Sequence, residues 1–182
     1  MNVRLLLLLV IAMLVFPSAI SSSTESHSSD RKEYFTLSKS KVDNLEVLAS
    51  VPKGLPIHKE HIKIPVPICS GFGMRFHPVL RRNKMHNGID FPAKIGTPIV
   101  STSYGVVIKV ENHPGYGNMV SVQSGDYVAR FAHCLKVLVS EGDRVKSGDT
   151  IALVGSSGIS TGPHCHYEVL VNGKHVNPYN YL

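Results

Sequence analysis

HCHYEVLV, residues 164–171, sets histidine at 164 and 166 and glutamate at 168 within a run of aromatic and aliphatic residues. Such a run favours an extended chain. In a strand, side chains at i, i+2 and i+4 point to one face, so His164, His166 and Glu168 are expected side by side. Three proton-handling groups are too many for a face that serves structure alone.

Outward from this stretch, short β-rich runs separated by glycine turns recur from Cys69 onward: PIVST (98–102), GVVIKVE (105–111), NMVSVQ (118–123), DYVARFAH (126–133) and TIALVG (150–155). No long helical period appears. The fold class is therefore all-β, mainly antiparallel sheet, over residues 65–182. GTPIVSTSYGVVIKV (96–110) and GDRVKSGDTIALV (142–154) also echo one another, each with a turn, a short apolar strand, a glycine turn and a second strand. The spacing resembles the hairpins of barrel-sandwich hybrid domains such as lipoyl and biotinyl carriers. That raises a binding module as a rival, although no lysine sits in a recognisable attachment motif.

At 182 residues the chain suffices for one domain with its own core. It opens MNVRLLLLLVIAMLVFPSAISSS, with one early arginine, an apolar run from Leu5 to Phe16 and then small residues. That is the order of a secretory signal peptide. Residues 1–21 are expected to be the signal, with Ala19 and Ser21 at the small positions before the cut. The alternative is an uncleaved anchor, for which the run is short against the ~20 residues of a membrane span. Membrane contact is expected only through the signal before its removal. Without Arg4, 18 basic residues face 13 acidic ones, a net of +5, scattered apart from LRRNK at 80–84. This balance suits an anionic partner or plain solubility; nothing resembles a nucleic-acid module, and oligomeric state is not legible. Residues 22–50 hold eight serines and neither glycine nor proline, whereas all 15 glycines and all three cysteines lie beyond residue 50. Residues 22–64 accordingly read as a linker and lead-in. A short helix is expected around 37–50, and an extended segment from 51, where proline excludes helix.

HNGID (86–90) places His86 and Asp90 four apart around Gly88, in what reads as a turn or loop entering a strand. An imidazole and a carboxylate so spaced could converge on one cation. With one histidine of HCH they make two nitrogens and one oxygen, a set suited to a single Zn2+ whose fourth position is left to water. A closed structural site would instead recruit a fourth protein ligand. RFAHC (130–134) adds His133, expected to share a strand face with Phe131 and to point where the HCH histidines point if the strands are neighbours. Its alternative is a hydrogen-bonded core histidine.

In chain order, SGFGMRFHPVL (70–80), HNGIDF (86–91), GTPIV (96–100), GYGNMV (115–120), FAHC (131–134), GDRVKSGDTIALVGSSGISTGPHCHYEV (142–169) and NGKHVNPYNYL (172–182) resemble the LytM/lysostaphin-type zinc metallopeptidases. The likeness runs over residues 69–182. It implies an antiparallel β fold related to the barrel-sandwich hybrid, with a zinc groove floored by a sheet. It also implies a zinc-dependent endopeptidase acting on stem peptides or cross-links of bacterial peptidoglycan through a metal-activated water. By the same resemblance His86, Asp90 and His166 would be the zinc ligands, and His133 and His164 the catalytic histidines. His164 is then the candidate base and His133 the candidate for the oxyanion side, in roles that could be exchanged. Tyr116 and Asn118 would lie in a turn near the groove, with Glu168 as support behind the metal. An exported enzyme of this kind is expected in the periplasm, with extracellular or wall-associated action as the alternative.

Three departures from the family pattern stand out. Phe131 replaces a common tyrosine, and Cys134 and Cys165 replace leucines. Each cysteine follows a histidine aimed at the metal, so each should face the core. A Cys134–Cys165 disulfide formed after export is one reading; two buried thiols packing like hydrophobes is the other. His77 is expected to be structural or at the groove edge. His27, His58, His61, His113 and His175 are expected in exposed linkers, loops or turns, with His58 or His61 as a remote candidate for blocking the metal in a latent form. A noncatalytic relative that regulates another wall hydrolase is the main rival function. Such proteins lose metal ligands, whereas all five positions here carry competent side chains.

Overall fold

The computed structural model describes residues 51–61 and 68–182. The expected signal (1–21) and the helix around 37–50 lie outside the described residues. Eleven strands, numbered in chain order, make up most of the described chain. They are β1 (Gly73–His77), β2 (Arg82–His86), β3 (Ile89–Pro92), β4 (Pro98–Val100), β5 (Gly105–His113), β6 (Gly117–Ser124), β7 (Tyr127–Val137), β8 (Arg144–Val145), β9 (Thr150–Val154), β10 (His164–Val171) and β11 (Lys174–Val176). Two short 3-10 turns, Lys59–His61 and Pro178–Tyr181, are the helical elements among the described residues. All pairings of these strands are antiparallel, so the fold is the antiparallel β structure expected.

β10 organises the main sheet. It pairs with β3 over its first half, with β11 over its second and with β7 along the other edge. From β7 the order continues through β6 and β5 to β8, while β4 pairs with β9 and β9 also pairs with β7. Covered on both faces, β10 is buried from His164 to Leu170. Cys165, Tyr167 and Val169 join the hydrophobic core, in which Phe91 and Phe131 lie against the Tyr167 ring. The opposite face carries the expected row of His164, His166 and Glu168.

The two echoing segments meet in space. β4 and β5 of the first pair with β9 and β8 of the second, respectively. Each echo alone is a hairpin-sized unit that cannot bury its apolar residues; crossed against the other it closes Ile99, Val107, Val145, Ile151 and Ala152 into the core. The extended lead-in contributes as well. Val100 N–H donates to the Pro56 carbonyl at 2.8 Å and Lys53 N–H to the Thr102 carbonyl at 2.9 Å, which seats Ile57, 1% exposed, in the core opposite Ile99.

β1 and β2 form a separate two-stranded hairpin. In GMRFH the apolar Met74 and Phe76 alternate with Gly73, Arg75 and His77 but are exposed, and RNKMH offers Met85 alone, because the hairpin stands against the groove rather than the core. That is why these strands escape detection in the sequence, as does the two-residue β8.

Candidate active site

Neighbouring strands assemble the site on the polar face of β10. His166 stands directly opposite Asp90 of β3 and Ala132 of β7, so imidazole and carboxylate share a face. His86 ends β2, and the Asn87–Gly88 turn carries the chain beneath His166 into β3. A Cβ at Gly88 would come within 2.8 Å of the His166 ring, so the turn requires glycine for its close approach.

His86 Nε2, His166 Nδ1 and Asp90 Oδ1 face one another. His166 Nδ1 is 2.7 Å from Asp90 Oδ1 and 3.1 Å from His86 Nε2, which is 3.2 Å from the same oxygen. Ligand atoms at about 2.0–2.1 Å from a tetrahedral zinc lie ~3.3 Å apart, so this spacing suits adjacent ligands of one ion. The outer atoms are already committed. His86 Nδ1 donates to the Gly71 carbonyl at 2.6 Å, and His166 Nε2 donates to Glu168 Oε1 at 3.2 Å. Each ring can therefore offer its inward nitrogen to a metal, as imidazoles do when the other nitrogen is held, and the same inward nitrogens hydrogen-bond to Asp90. The donor set fits a metal bound by two nitrogens and one oxygen with an open position.

Two further imidazoles flank this trio. His164 Nδ1 donates to the Gly162 carbonyl at 2.7 Å, and its Nε2 lies 3.6 Å from Asp90 Oδ1. His133 Nδ1 donates to the Ser157 carbonyl at 2.7 Å, and its ring centroid is 4.7 Å from that of His164. His133 arrives there by an unexpected route. Phe131 points into the core, and strict alternation would send His133 after it. A backbone φ of 60° at His133, with register shifts against β6 and β9, turns the imidazole to the site instead. The expected shared face of Phe131 and His133 is thus broken by a kink.

Glu168 is fully buried behind the trio. Tyr116 Oη donates to its Oε1 at 2.8 Å, while Arg130 Nη1 and His175 Nδ1 each lie 3.5 Å from its Oε2. Burial alone would raise the Glu168 pKa, but the bonds from His166 and Tyr116 hold it below the usual carboxylate range. Asp90 likewise lies far below that range; its burial is outweighed by hydrogen bonds from His166 and His86. Burial and then the Glu168 charge push Tyr116 up to about 12, so the phenol keeps its proton and donates. Burial pushes His133 down to about 4, which leaves it neutral at pH 7.

The other expected residues fall as follows. Tyr116 lines the groove with its ring 5.4 Å from that of His166. Asn118 instead pins the groove wall from behind, its side-chain amide donating to the Cys134 carbonyl at 3.1 Å and its backbone N–H donating to Ser157 Oγ at 3.0 Å. His175 is not in an exposed turn but on β11 beside Glu168. His113 caps the Gly115–Tyr116 turn through its Nδ1, at 3.0 and 3.2 Å, and lines the groove. His58 and His61 are not among the described residues that line it. Cys134 and Cys165 are buried free thiols on the core side, with Cys134 Sγ donating to the Phe131 carbonyl at 3.5 Å. Arg75, with no part in the sequence argument, reaches Asp90 Oδ2 at 3.5 Å from β1. The groove in front of these groups encloses about 470 Å³.

His86, Asp90 and His166, buried together on an antiparallel sheet, form a group that could hold a metal ion. Peptidase family M23 matches residues 84–178, and the chain belongs to that family. Among curated proteins it is 47% identical over 104 residues to the peptidoglycan DD-endopeptidase ShyA of Vibrio cholerae, spanning 57% of this chain and 24% of ShyA. It is 46% identical over 130 residues to ShyC of the same organism, spanning 69% and 30%. The matched region is thus less than a third of these relatives' length. Among solved structures, a zinc-containing peptidase from Vibrio cholerae superposes with a TM-score of 0.62 at 42% identity, covering 70% of this chain and 39% of that one. The catalytic domain of lysostaphin from Staphylococcus simulans gives a TM-score of 0.59 at 30% identity, covering 64% and 92%.

Proposed function

We propose that the chain is a zinc-dependent endopeptidase that hydrolyses D,D peptide cross-links of peptidoglycan, acting in the periplasm or at the cell wall. The observation that carries this reading is the arrangement of four imidazoles. Each fixes one nitrogen on an outer carbonyl or carboxylate and turns the other toward a common space beside Asp90. The names of the peptidoglycan DD-endopeptidases among its relatives support the substrate.

His86 Nε2, Asp90 Oδ1 and His166 Nδ1 would hold the ion. Bound zinc supplies Lewis acidity to a scissile carbonyl and lowers the pKa of a water to about 7. The remaining chemistry belongs to the flanking histidines. His164 holds Nδ1 on the Gly162 carbonyl and turns Nε2 to the common space, 3.6 Å from Asp90 Oδ1, whereas burial disfavours positive charge on His133. His164 therefore takes the proton of the attacking water and returns it to the departing amine. His133 holds its single proton on Nδ1, toward Ser157, so its Nε2 accepts a hydrogen bond and orients that water. This assignment keeps His164 as base and moves His133 from an oxyanion donor to an acceptor.

The test is zinc content and digestion of purified peptidoglycan by the wild type, His166→Ala and His164→Ala. Zinc near one per chain, lost in the first variant and kept in the second, with release of uncross-linked peptides lost in both, is the expected result. Zinc-loaded wild type that cleaves no cross-link would overturn it.

A further inference from the structure

The β1–β2 hairpin carries a charge pattern that catalysis at the metal does not use. Its register pairs Gly73 with His86, Arg75 with Lys84, and His77 with Arg82. Residues paired directly across a hairpin share a face, as do alternate residues along each strand. Arg75, Lys84 and Arg82 therefore lie on the same face as His86, in a row that leads away from the metal site. The geometry of Arg75 bears this out, since its Nη2 reaches Asp90 Oδ2 at 3.5 Å. Burial and then the charges of Lys84, Arg75, His86 and Arg82 push His77 below its ordinary value, as they would if they surrounded it.

The row is available to a ligand. Lys84 and Arg82 are exposed. Arg75 keeps its buried Nε without a hydrogen-bond partner among the described residues. Asp90 is the one acidic side chain among the described residues lining the groove, and its oxygens already face His86, His166 and Arg75. Beyond the contact of Asp90 with Arg75, no acidic side chain among the described residues lining the groove neutralises this row. A neutral peptide would leave the row without counter-charge; a peptide with free carboxylates beside the scissile bond would supply it.

We infer that Arg75, Lys84 and Arg82 form a carboxylate-reading rail that selects acidic peptides, whose α-carboxyl groups are free, over amidated stems and neutral glycine bridges. This deepens the endopeptidase reading and rests on it. Arg75 engages the carboxylate nearest the scissile bond, and Lys84 and Arg82 engage one further out. Exposed charge pairs are individually weak and screened by salt, so the selection is additive along the rail and greatest at low ionic strength.

Two synthetic cross-linked peptides, identical except that one has free α-carboxylates and the other carboxamides, test this on the zinc-loaded full chain. Dissociation constants are measured with the scissile amide N-methylated, and cleavage rates with it unmodified. The wild type should bind the acid form about tenfold more tightly in 50 mM salt, and this ratio should shrink toward one in the double variant Arg82→Gln/Lys84→Gln. Lys136→Gln, an equal loss of charge per site on β7, should keep the ratio. Equal binding of the two peptides by the wild type, or a ratio that survives in the double variant, overturns the rail even if both peptides are cleaved. Acid-selective binding that the double variant abolishes, without cleavage of either peptide, upholds the rail and overturns the endopeptidase reading instead.

Discussion

Glu168 shows how much one side chain can settle. It has no exposed surface, and its two oxygens face His166, Tyr116, Arg130 and His175. A carboxylate there fixes the His166 ring so that Nδ1 faces the metal position. Glu168→Gln keeps the shape but removes the charge and turns an NH2 toward groups that donate. Zinc affinity should fall 10–100-fold, read by competition with a chromophoric chelator; unchanged affinity would reduce Glu168 to packing. The alternation of HCHYE made this position legible, but Arg130 and His175 were not, because they come from β7 and β11 and meet Glu168 only through a register that sequence does not specify. The cysteines carry a second prediction. Burial pushes Cys134 up to about 12 from 9.0 and Cys165 up as well. A thiol whose folded pKa is raised gives stability that is full below its unfolded value and is lost as pH rises toward the folded one. The unfolding free energy from urea titrations should therefore stay level from pH 7 to about 8.5 and fall above 9, by up to about 1.4 kcal/mol per pH unit for each such group. At pH 8 a thiol reagent should modify exposed Cys69 first and reach the other two only on unfolding. One reactive thiol in the unfolded exported protein, rather than three, would reveal a bridge.

At the scale of the element, β7 departs furthest from an ideal strand. Its residues YVARFAHCLKV look continuous, yet the φ of 60° at His133 divides it. Before the kink, Phe131 serves the core; after it, Cys134 does. Only the left-handed residue between them lets His133 join His164. Phe131 and His133 therefore looked like neighbours on one face, and no glycine marked the position at which that alternation fails. For a residue with a Cβ this conformation costs about 1–2 kcal/mol, held here by the bond from His133 N–H to the Tyr116 carbonyl at 2.8 Å and from Nδ1 to Ser157. Asparagine tolerates the conformation and β-branched residues do not. His133→Asn should stay within about 1 kcal/mol of the wild type and His133→Val should lose ~1–2 kcal/mol more, with peptide cleavage lost in both. Equal urea midpoints for the two variants would argue that the kink is not retained when histidine is replaced.

Across the whole molecule, the core is closed by segments distant in sequence. The two glycine-bounded echoes were legible because hairpins announce themselves by turn residues and alternation; their crossed pairing, β4 with β9 and β5 with β8, was not, because it is a long-range register. The lead-in is the clearer lesson. Prolines exclude helix from 51 onward, and the β-rich runs and glycine turns that mark the domain in the sequence begin only beyond residue 65. Yet an extended segment with prolines can still bond along a sheet edge: Lys53 N–H donates to the Thr102 carbonyl and the Pro56 carbonyl accepts from Val100 N–H, while Ile57 enters the core. Leu55 and Ile57 alone, broken by Pro56, are too short an apolar run to predict this. Since Ile57 is 1% exposed and packs with Ile99, Ile57→Ala should cost about 2–5 kcal/mol through lost transfer energy and the cavity left behind. The urea midpoint should fall with little change in slope. A chain begun at residue 65 loses the same side chain together with the bonds to Val100 and Thr102, so it should be less stable than Ile57→Ala. A truncated chain as stable as the wild type would show instead that the core closes without its lead-in.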